Sequence, residues 1–408
     1  MSVPSLAAQY IQSLEDLKGV EITTLVNYVV LDAVKAGASD IHVEPWENTL
    51  CVRIRVTGQL MELVHLPLEL KEKVAGRFKV MATLVSHVTG IPQDGKANMG
   101  PEFGGVQLRV SIFPTILGEK VVCRIFDPSS RTFNLAALGF EERTLQDYIA
   151  LLNKPNGLIL LTGPTGSGKT TAIYASLYHL IEKHGTSISV ASVEDPVEVH
   201  LATVSQAQLN VAAEFTFAAA LRSLMRQDPQ IIMVGEIRDP ETAGIAVQAG
   251  LTGHLVISTV HSGTTAGVFA RLINMNIEPF LLASSMLGVM GVRLVRKNCP
   301  YCSMPYEPDV LLLKSLTPEQ AENGTFRKGA GCEHCKNTGY SGRMAITELL
   351  VVNEAIREAV LEKKPSRQIQ EIAIAGGMRA LWHSGLERVL AGETTLEEVA
   401  RKTASDQL

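Results

Sequence analysis

The pattern of hydrophobic and polar residues separates the chain into two parts that predict different kinds of sheet. In the first part, hydrophobic residues recur at helical spacing from Glu21 to Ala36, where Gly37 ends the run, and a second helical stretch extends from Leu68 to about Val88. Around these stretches, hydrophobic and polar residues alternate as they do in half-buried strands. The alternating segments are Asp40–Val43, Leu50–Val56, Gln59–Val64, Val106–Phe113 and Lys120–Phe126. This arrangement predicts an α+β domain with a small antiparallel sheet.

From about Leu138 onward the pattern changes to uninterrupted hydrophobic runs separated by helical segments. Such runs fit strands that are buried on both faces, as in a mostly parallel sheet covered by helices. The runs are Gly157–Leu161, Ile188–Val193, Ile231–Val234 and Leu255–Thr259. Residues 127–130 break the pattern between the two parts and predict a linker. After Pro300 the chain is polar and loop-rich as far as Gly342, and it ends in short amphipathic helices.

Composition narrows the class of protein. The chain has 408 residues, with 37 basic and 42 acidic side chains, a formal charge of −5 and 46% hydrophobic residues. This hydrophobic content argues against disorder, and the acidic balance argues against a general nucleic-acid binder. The N-terminus lacks the basic and hydrophobic segments of a secretory signal. The hydrophobic stretch Pro279–Leu294 contains serines, glycines and Arg293, and it falls short of the ~20 apolar residues of a membrane span. We therefore expect a soluble, cytosolic protein.

A glycine-rich segment follows the run Gly157–Leu161 and matches the pattern G-x-x-x-x-G-K-[ST] of phosphate-binding loops. A helical segment, Thr171–Ile181, comes directly after it, as the motif requires. Glycines let backbone N–H groups approach phosphate oxygens, the lysine reaches the β- and γ-phosphates, and the threonine hydroxyl can bind Mg²⁺. The predicted nucleotide-binding residues are Gly163, Pro164, Thr165, Gly166, Ser167, Gly168, Lys169, Thr170 (also the Mg²⁺ ligand) and Thr171. The alternative is a glycine-rich turn with a chance lysine.

Acidic residues stand at the ends of two other hydrophobic runs. Glu236 follows Ile231–Val234, and Glu194 with Asp195 follows Ile188–Val193. The carboxyl ends of parallel strands meet at one edge of a sheet, so these acids are candidates for binding the metal or polarising water. Strand ends are also often simply polar, and His254 and His261, which flank Leu255–Val260, can equally be structural residues.

Four of the six cysteines form two C-x-x-C pairs, Cys299/Cys302 and Cys332/Cys335. Four thiolates from two such turns predict a structural tetrahedral Zn²⁺ site. A redox C-x-x-C motif is the alternative, and the presence of two pairs disfavours it. The remaining cysteines, Cys51 and Cys123, lie in strand-like runs and are interpreted as small buried hydrophobic residues.

Several longer motifs resemble the secretion ATPases of bacterial type II secretion and type IV pilus assembly. The matching segments, besides the phosphate-binding loop, run from about residue 20 to the C-terminus. They are 38–45 (ASDIHVEP), 92–95 (PQDG), 109–111 (RVS), 118–120 (GEK), 194–198 (EDPVE), 221–229 (LRSLMRQDP), 235–239 (GEIRD), 252–254 (TGH), 258–261 (STVH) and 293–296 (RLVR), followed by the cysteine pairs.

The resemblance implies a mixed α/β fold: a RecA-like P-loop ATPase domain with a smaller N-terminal α+β domain, PAS-like, and a tetracysteine zinc module. The expected domains are a short extension 1–19, the α+β domain 20–128, a linker 129–140 and the ATPase domain 141–408. The last includes the tetracysteine module 296–345 and C-terminal helices 346–408. Only about 20 residues precede the first predicted helix, so the N-terminal adaptor domain usual in this family is expected to be missing.

The resemblance also implies a role for each candidate residue. Glu194 would be the general base for the attacking water, and Glu236 would hold the Mg²⁺ shell. His254 and His261 would sense the γ-phosphate or contact a neighbouring domain. Arg109 and Arg124 would reach the phosphates from the first domain when it closes. Arg222 and Arg226, four residues apart and hence on one helix face, would lie near a subunit boundary; a surface salt bridge is the alternative for each arginine.

For the whole protein, the resemblance implies a homo-hexamer that hydrolyses ATP and drives an inner-membrane platform protein, with ATP, Mg²⁺ and Zn²⁺ as cofactors. It implies a cytoplasmic protein, peripherally associated with the inner membrane, that binds no nucleic acid directly. The tetracysteine module favours an extension or secretion motor, since the family's pilus retraction ATPases lack it. A retraction-type or DNA-uptake motor, and a nucleotide-binding regulator with little turnover, remain as alternatives.

Overall fold

The computed structural model describes residues 5–14, 19–126 and 133–403. The chain divides into two compact units, Met1–Arg131 and Thr132–Leu408. The first part of the predicted linker lies outside the described residues. Its described part belongs to the core of the second unit, because Leu135 and Phe140 are buried there and Phe133 stacks on Tyr178 with 5.4 Å between the ring centroids.

The first unit contains three α-helices and six strands among its described residues. They are α1 (Leu6–Gln12), α2 (Ile22–Lys35), β1 (Ala38–Pro45), β2 (Leu50–Val56), β3 (Gln59–Leu66), α3 (Lys71–Met81), β4 (Gln93–Asn98), β5 (Gln107–Thr115) and β6 (Gly118–Phe126). The strands form one sheet in the order β3-β2-β1-β6-β5-β4, and every neighbouring pair is antiparallel. The predicted α+β unit with an antiparallel sheet is therefore confirmed.

One face of this sheet packs against helices and the other carries charged side chains. The buried face contributes residues such as Ile41, Val110 and Val121 to a core shared with Val29 of α2 and Phe78 of α3. Alternation along each strand puts the polar residues on the opposite face. Two details differ from the sequence prediction. The predicted helix to about residue 88 ends at residue 81, because the chain turns at a positive φ of 58° at residue 83. The strand β4 is mostly polar and exposed, so periodicity missed it.

The second unit alternates strands and helices. Its elements begin with α4 (Glu142–Leu152), β7 (Gly157–Thr162), α5 (Lys169–His184), β8 (Val190–Glu194), β9 (Val204–Gln208), α6 (Phe217–Leu224), β10 (Ile231–Val234), α7 (Pro240–Leu251), β11 (Leu255–Val260), α8 (Gly267–Asn274) and α9 (Pro279–Ser285). They continue with β12 (Met286–Asn298), β13 (Ser303–Pro305), α10 (Val310–Leu313), α11 (Pro318–Asn323), β14 (Arg327–Gly329), β15 (Tyr340–Val351), α12 (Glu354–Leu361), α13 (Ser366–Ala375), α14 (Leu381–Leu390) and α15 (Leu396–Thr403).

A seven-stranded sheet organises this unit, in the order β15-β12-β7-β11-β10-β8-β9. The strand pairs from β12 to β9 are parallel, and only β15 runs antiparallel, against β12. Strands β7, β10 and β11 are buried at every position because helices cover both faces. The predicted parallel sheet with helices on both faces is confirmed.

The hydrophobic stretch that was too broken for a membrane span forms parts of two elements. It comprises the short helix α9 and the first two-thirds of β12, which lies between β7 and β15 in the sheet. Within the described ranges, no helix combines the length and the hydrophobicity that crossing a bilayer requires.

Candidate nucleotide site and metal centre

The glycine-rich loop connects β7 to α5 at the carboxyl edge of the parallel sheet. Gly163, Gly166 and Gly168 have φ angles of 147°, 75° and 97°, a region that favours glycine. A Cβ on Gly163 would lie 2.5 Å from the carbonyl oxygen of Val292 in the neighbouring strand β12, so no larger residue fits there without a shift of backbone. Helix α5 starts directly after the loop, at Lys169, and its N–H groups and positive dipole end favour an anion. The loop therefore has the backbone geometry of a phosphate site.

The Lys169 side chain is buried inside this loop. Its Nζ donates hydrogen bonds to the carbonyl oxygens of Gly163 at 2.7 Å and Pro164 at 3.0 Å. Burial and the charge of nearby Arg293 lower the pKa of Lys169, while the negative charge of Glu236 opposes that shift. Two cations beside N–H donors make a region where a phosphate group would be stabilised electrostatically.

Glu236 and His261 lie at the same carboxyl edge as the loop. Strand β11 pairs with both β7 and β10, so the residues following these strands are neighbours. Glu236 forms an ion pair with Arg238, with 2.6 Å between its Oε2 and Arg238 Nε. The same carboxylate oxygen lies 3.5 Å from His261 Nε2. The loop end of β7 is tied to β11 by the Thr162 hydroxyl, which donates to the carbonyl of Ser262 at 2.9 Å. Lys169, Glu236 and His261 thus lie at the same edge of the sheet.

The Glu194 carboxylate is also at this end of the sheet, but its oxygens already accept three hydrogen bonds. The donors are Tyr174 at 2.5 Å, Ser192 at 2.6 Å and Gln206 at 3.2 Å. Only 3% of Glu194 is exposed. In this arrangement Glu194 acts as the acceptor that joins α5 to strands β8 and β9, a contact set that does not favour activation of a solvent molecule.

His254 lies at the opposite end of the strand from His261. Its carbonyl accepts the N–H of Gly157, the residue that starts β7, and its Nδ1 lies 3.1 Å from the carbonyl of Ala249. The six residues of β11 separate the two histidines by about 20 Å. Of the two, only His261 reaches the phosphate edge. The expectation that His254 senses the γ-phosphate is not supported within one chain.

Arg222 and Arg226 are exposed and pair locally. Arg222 donates to Glu241 at 2.9 Å, and Arg226 donates to the carbonyl of Arg222 at 3.0 Å. Helix α6 ends at Leu224, so Arg226 lies in the turn that follows it. The prediction that the two arginines share one helix face is wrong for this reason.

Arg109 and Arg124 lie on the polar face of the first unit's sheet, on adjacent strands. They are directly opposite each other in the β5–β6 register, and both are exposed. The row continues across the sheet: Arg124 Nε lies 3.2 Å from Asp40, whose second oxygen lies 3.5 Å from Arg55 Nε. One mostly buried carboxylate therefore orients cations on both sides of it, and the charge of the row is positive.

The two C-x-x-C pairs meet in space. Sγ–Sγ distances are 3.8 Å for Cys299–Cys332, 3.8 Å for Cys302–Cys335 and 3.7 Å for Cys332–Cys335. Zn–S bonds of about 2.3 Å in a tetrahedron put neighbouring sulfurs about 3.8 Å apart, so the donor set fits Zn²⁺. His334 stacks on Tyr301 at 4.1 Å between ring centroids instead of entering this set.

Backbone N–H groups support the sulfurs as they do in metal-binding turns. Gly331 donates to Cys302 Sγ at 3.3 Å, and Gly339 and Cys332 donate to Cys335 Sγ at 3.3 and 3.2 Å. Burial acts to raise the pKa of the Cys335 thiol, but the N–H groups of Cys332 and Gly339, together with the neighbouring thiols of Cys332 and Cys302, outweigh it and lower the pKa to about 7. N–H donation stabilises a thiolate, which is the form that binds metal.

Comparison with known proteins relates almost the full length of the chain to one family. The family model described as type II/IV secretion system protein matches residues 15–401. The type IV pilus assembly ATPase PilB of Myxococcus xanthus is 42% identical over 393 residues, which cover 95% of this chain and 68% of the relative. Type II secretion system protein E of Pseudomonas aeruginosa is 42% identical over 403 residues, covering 98% and 80%. The chain belongs to the type II/IV secretion system protein family.

Solved structures of lower identity show that this family's fold is present. The ATPase DotB of Legionella pneumophila superposes with a TM-score of 0.70 at 20% identity and covers 96% of this chain and 98% of that one. The pilus retraction motor PilT with bound ADP gives a TM-score of 0.61 at 24% identity, covering 92% and 95%. The predicted family and fold class are confirmed, and the chain is an ATPase of this secretion family.

Sequence reasoning missed three side chains of this family member's site. Arg293 is buried beside the loop and donates to the carbonyl of Gly263 at 2.7 Å, Arg238 pairs with Glu236, and Tyr174 donates to Glu194. Arg293 stands in the hydrophobic strand β12, and an arginine in a fully buried run was the signal that could have found it. Tyr174 carried no such signal, because an aromatic residue in a helix is ordinarily part of the core.

Proposed function

We propose that this chain hydrolyses ATP at the carboxyl edge of its parallel sheet and acts as the motor of type II protein secretion or type IV pilus assembly. The observation that carries the proposal is the grouping of Lys169, Glu236 and His261 around a phosphate-binding loop. The 42% identity to a type IV pilus assembly ATPase and to a type II secretion system protein supports it.

Within this site, Lys169 and the loop N–H groups would bind the β- and γ-phosphates, and Thr170 would contribute its hydroxyl to Mg²⁺. Mg²⁺ neutralises charge on the phosphates when it is bound. Arg109 and Arg124 would supply further positive charge to the triphosphate. A γ-phosphoryl transition state spreads negative charge over its oxygens, so cations placed there lower its energy.

We assign the polarisation of the attacking water to Glu236 rather than to Glu194. Glu236 is next to His261 and acts electrostatically on Lys169, whereas the oxygens of Glu194 are already occupied by Tyr174 and its neighbours. Glu194 would then position α5 relative to β8, and it would support the site without touching the reacting atoms.

The test is phosphate release by the purified full chain and three variants. Glu236→Gln should lower kcat by roughly 10² to 10³, and Lys169→Ala should abolish turnover or nucleotide binding. Glu194→Gln should retain most of kcat if Glu236 is the base. Equal rates for wild type and Glu236→Gln would point to contaminating activity, or to a regulator without turnover. If Glu194→Gln lowered kcat as much as Glu236→Gln does, Glu194 rather than Glu236 would be assigned as the general base.

The tetracysteine cluster would hold one structural Zn²⁺ per chain. Its four thiolates close the coordination shell, so the metal would stabilise the loops around β13 and β14 without taking part in hydrolysis. Elemental analysis of folded protein should find this zinc, and Cys332→Ser should lose it.

We further propose that the chain forms a homo-hexamer. The hexamer would associate peripherally with the inner membrane and drive a platform protein there. Arg222 and Arg226, exposed in one chain, are candidates for the contact between chains. Mass measurement with and without ATP tests the hexamer, and Arg222→Ala should shift the assembly toward smaller species. A retraction-type or DNA-uptake motor would perform the same chemistry, and the tetracysteine cluster together with the assembly and secretion relatives favours the extension or secretion direction.

A further inference from the structure

The two cysteines outside the tetracysteine cluster have different surroundings, although their sequence contexts are alike. Cys123 belongs to the hydrophobic core of the first unit. Cys51 is equally buried but lies on the opposite, polar face of the sheet, because its neighbours Leu50 and Val52 are the ones that point into the core. The prediction that both cysteines are buried is confirmed, but only Cys123 belongs to the hydrophobic core of this unit.

A β-bulge brings two further side chains to Cys51. In the β2–β3 ladder, Cys51 is directly opposite His65, and the register shifts between Val52 and Arg53, so that Arg53 faces Glu62. Residues 62 and 65 would ordinarily point to opposite faces of a strand, since they are three apart. The extra residue of the bulge reverses that parity and turns Glu62 to the same face as His65.

The three side chains converge closely. One ligand atom from each of Cys51, Glu62 and His65 lies within 4.8 Å of the other two. His65 Nε2 and Glu62 Oε2 are 3.3 Å apart, which is about the edge length of a tetrahedral zinc site with nitrogen and oxygen ligands. The His65 ring packs edge-on against Trp46, at 5.9 Å between centroids, and this contact orients the imidazole.

We propose that Cys51, Glu62 and His65 bind a divalent zinc ion, separate from the tetracysteine centre, with a fourth coordination position open to solvent. Sulfur, imidazole nitrogen and carboxylate oxygen are the ligand types that Zn²⁺ takes, and three protein ligands plus an open position is a recognised zinc arrangement. Glu62 and His65 are exposed, so their side chains are free to move toward an ion held by Cys51. The ion would bridge β2 and β3 at the bulge.

Zinc stoichiometry of the full chain tests the proposal. Purified wild-type protein is equilibrated with ZnCl₂ and passed through a desalting column. The zinc content per chain is then measured by inductively coupled plasma mass spectrometry. The same is done for Cys51→Ala and His65→Ala, with Cys123→Ala and His87→Ala as matched controls, since Cys123 is buried in the core and His87 is exposed outside the cluster.

We expect the wild type and both controls to carry one equivalent more than Cys51→Ala and His65→Ala. Glu62→Gln should weaken binding of this equivalent in a competition titration with a chelating dye. His65 is a surface residue, so its variant keeps the test valid if Cys51→Ala fails to fold. Equal zinc in wild type and His65→Ala, or an equal loss in the control variants, would overturn the proposal. The tetracysteine residues are unchanged in every variant. Loss of zinc from that centre would therefore lower the zinc content of wild type and all variants equally, and it can be distinguished from loss of zinc at Cys51, Glu62 and His65.

Discussion

The two sheets of this molecule present their chemistry in different places. The antiparallel sheet of the first unit has one face that carries charged side chains, and these form rows across neighbouring strands, as in Arg109, Arg124, Asp40 and Arg55. The parallel sheet of the second unit is covered on both faces, and its polar residues are concentrated where strands end, as at Lys169 and Glu236.

The difference follows from how each sheet is connected. Hairpins leave a face of an antiparallel sheet free, so alternation alone places side chains there. Crossover helices cover a parallel sheet, so backbone N–H groups and side chains are accessible only at the loops on its edges. An exposed side chain on the charged face, such as that of Arg109, can be replaced with little effect on the fold. Changes at the edge of the parallel sheet disturb backbone packing.

The largest expected effect tests the proposed role of Arg109 on the charged face of the first sheet. If Arg109 supplies charge to the triphosphate as proposed, Arg109→Ala should lower kcat for ATP hydrolysis by roughly 10³, the contribution of such an arginine in related nucleotide hydrolases. Phosphate release at saturating ATP measures it. Arg367→Ala, which removes an arginine 88% exposed in the second unit, is the control and should leave the rate unchanged. A rate for Arg109→Ala within twofold of wild type would make the polar face a solvated surface only.

At the edge, Gly163→Ala should lower ATP turnover about 100-fold, since displacements near 1 Å at a catalytic site cost that much. The added Cβ would meet the Val292 carbonyl at 2.5 Å, and the φ of 147° strains any larger residue. Steady-state kinetics and nucleotide binding measure the loss. Gly76→Ala, where a Cβ would meet nothing within 4 Å, should behave like wild type. Normal kinetics in Gly163→Ala would show that the loop tolerates a shift of β12.

A third prediction tests a buried ion pair where the parallel sheet meets the C-terminal helices. Arg296 donates to Glu398 of α15 at 2.7 Å, and the Glu398 side chain is fully buried. Glu398→Gln should lower the free energy of unfolding by about 3 kcal/mol, because it leaves Arg296 without its counter-charge. Denaturation with urea measures it. The exposed partner gives the control: Arg401→Ala should cost less than about 1 kcal/mol.

The same pair predicts a pH dependence. Burial alone would raise the pKa of Glu398, but hydrogen bonds from Arg296 and Arg401 outweigh it and hold the pKa below the ordinary 4.5. The stabilisation is therefore fully present above pH 4.5 and is lost as the pH falls through the lowered value. Below pH 4.5, wild type should lose stability more steeply than Glu398→Gln. Parallel curves would contradict the assignment.

The smallest effects separate the two histidines of β11. His261→Ala should lower ATP turnover by roughly tenfold, equivalent to about 1.4 kcal/mol of transition-state stabilisation, because it removes the imidazole that lies 3.5 Å from the Glu236 carboxylate. His254→Ala, at the other end of the strand, should stay within twofold when measured under conditions that keep the chain monomeric. If both variants lost ATPase activity equally in a monomer, the position of His261 at the phosphate-loop edge of the sheet would not explain its role, because His254 lies at the opposite edge.

The linear order of residues determined the local features of this protein. The loop at 163–170 was predictable because a strand, glycines, a lysine and a helix must follow one another in sequence to bind phosphate. The two C-x-x-C pairs were predictable for the same reason, since each supplies two ligands from one turn. The period of hydrophobic residues predicted five of the six strands of the first sheet and four of the seven strands of the second.

Tertiary structure alone decided which of the candidates share a site. His254 and His261 look equivalent along the chain, yet a strand of six residues holds them at opposite edges. Glu194 follows its strand as Glu236 does, but the Tyr174 hydroxyl from a helix 20 residues earlier occupies its carboxylate. Cys51 meets Glu62 and His65 only because a bulge shifts the strand register by one residue. Side-chain direction and contacts between distant segments depend on packing and register, and neither is determined by the spacing of residues along the chain.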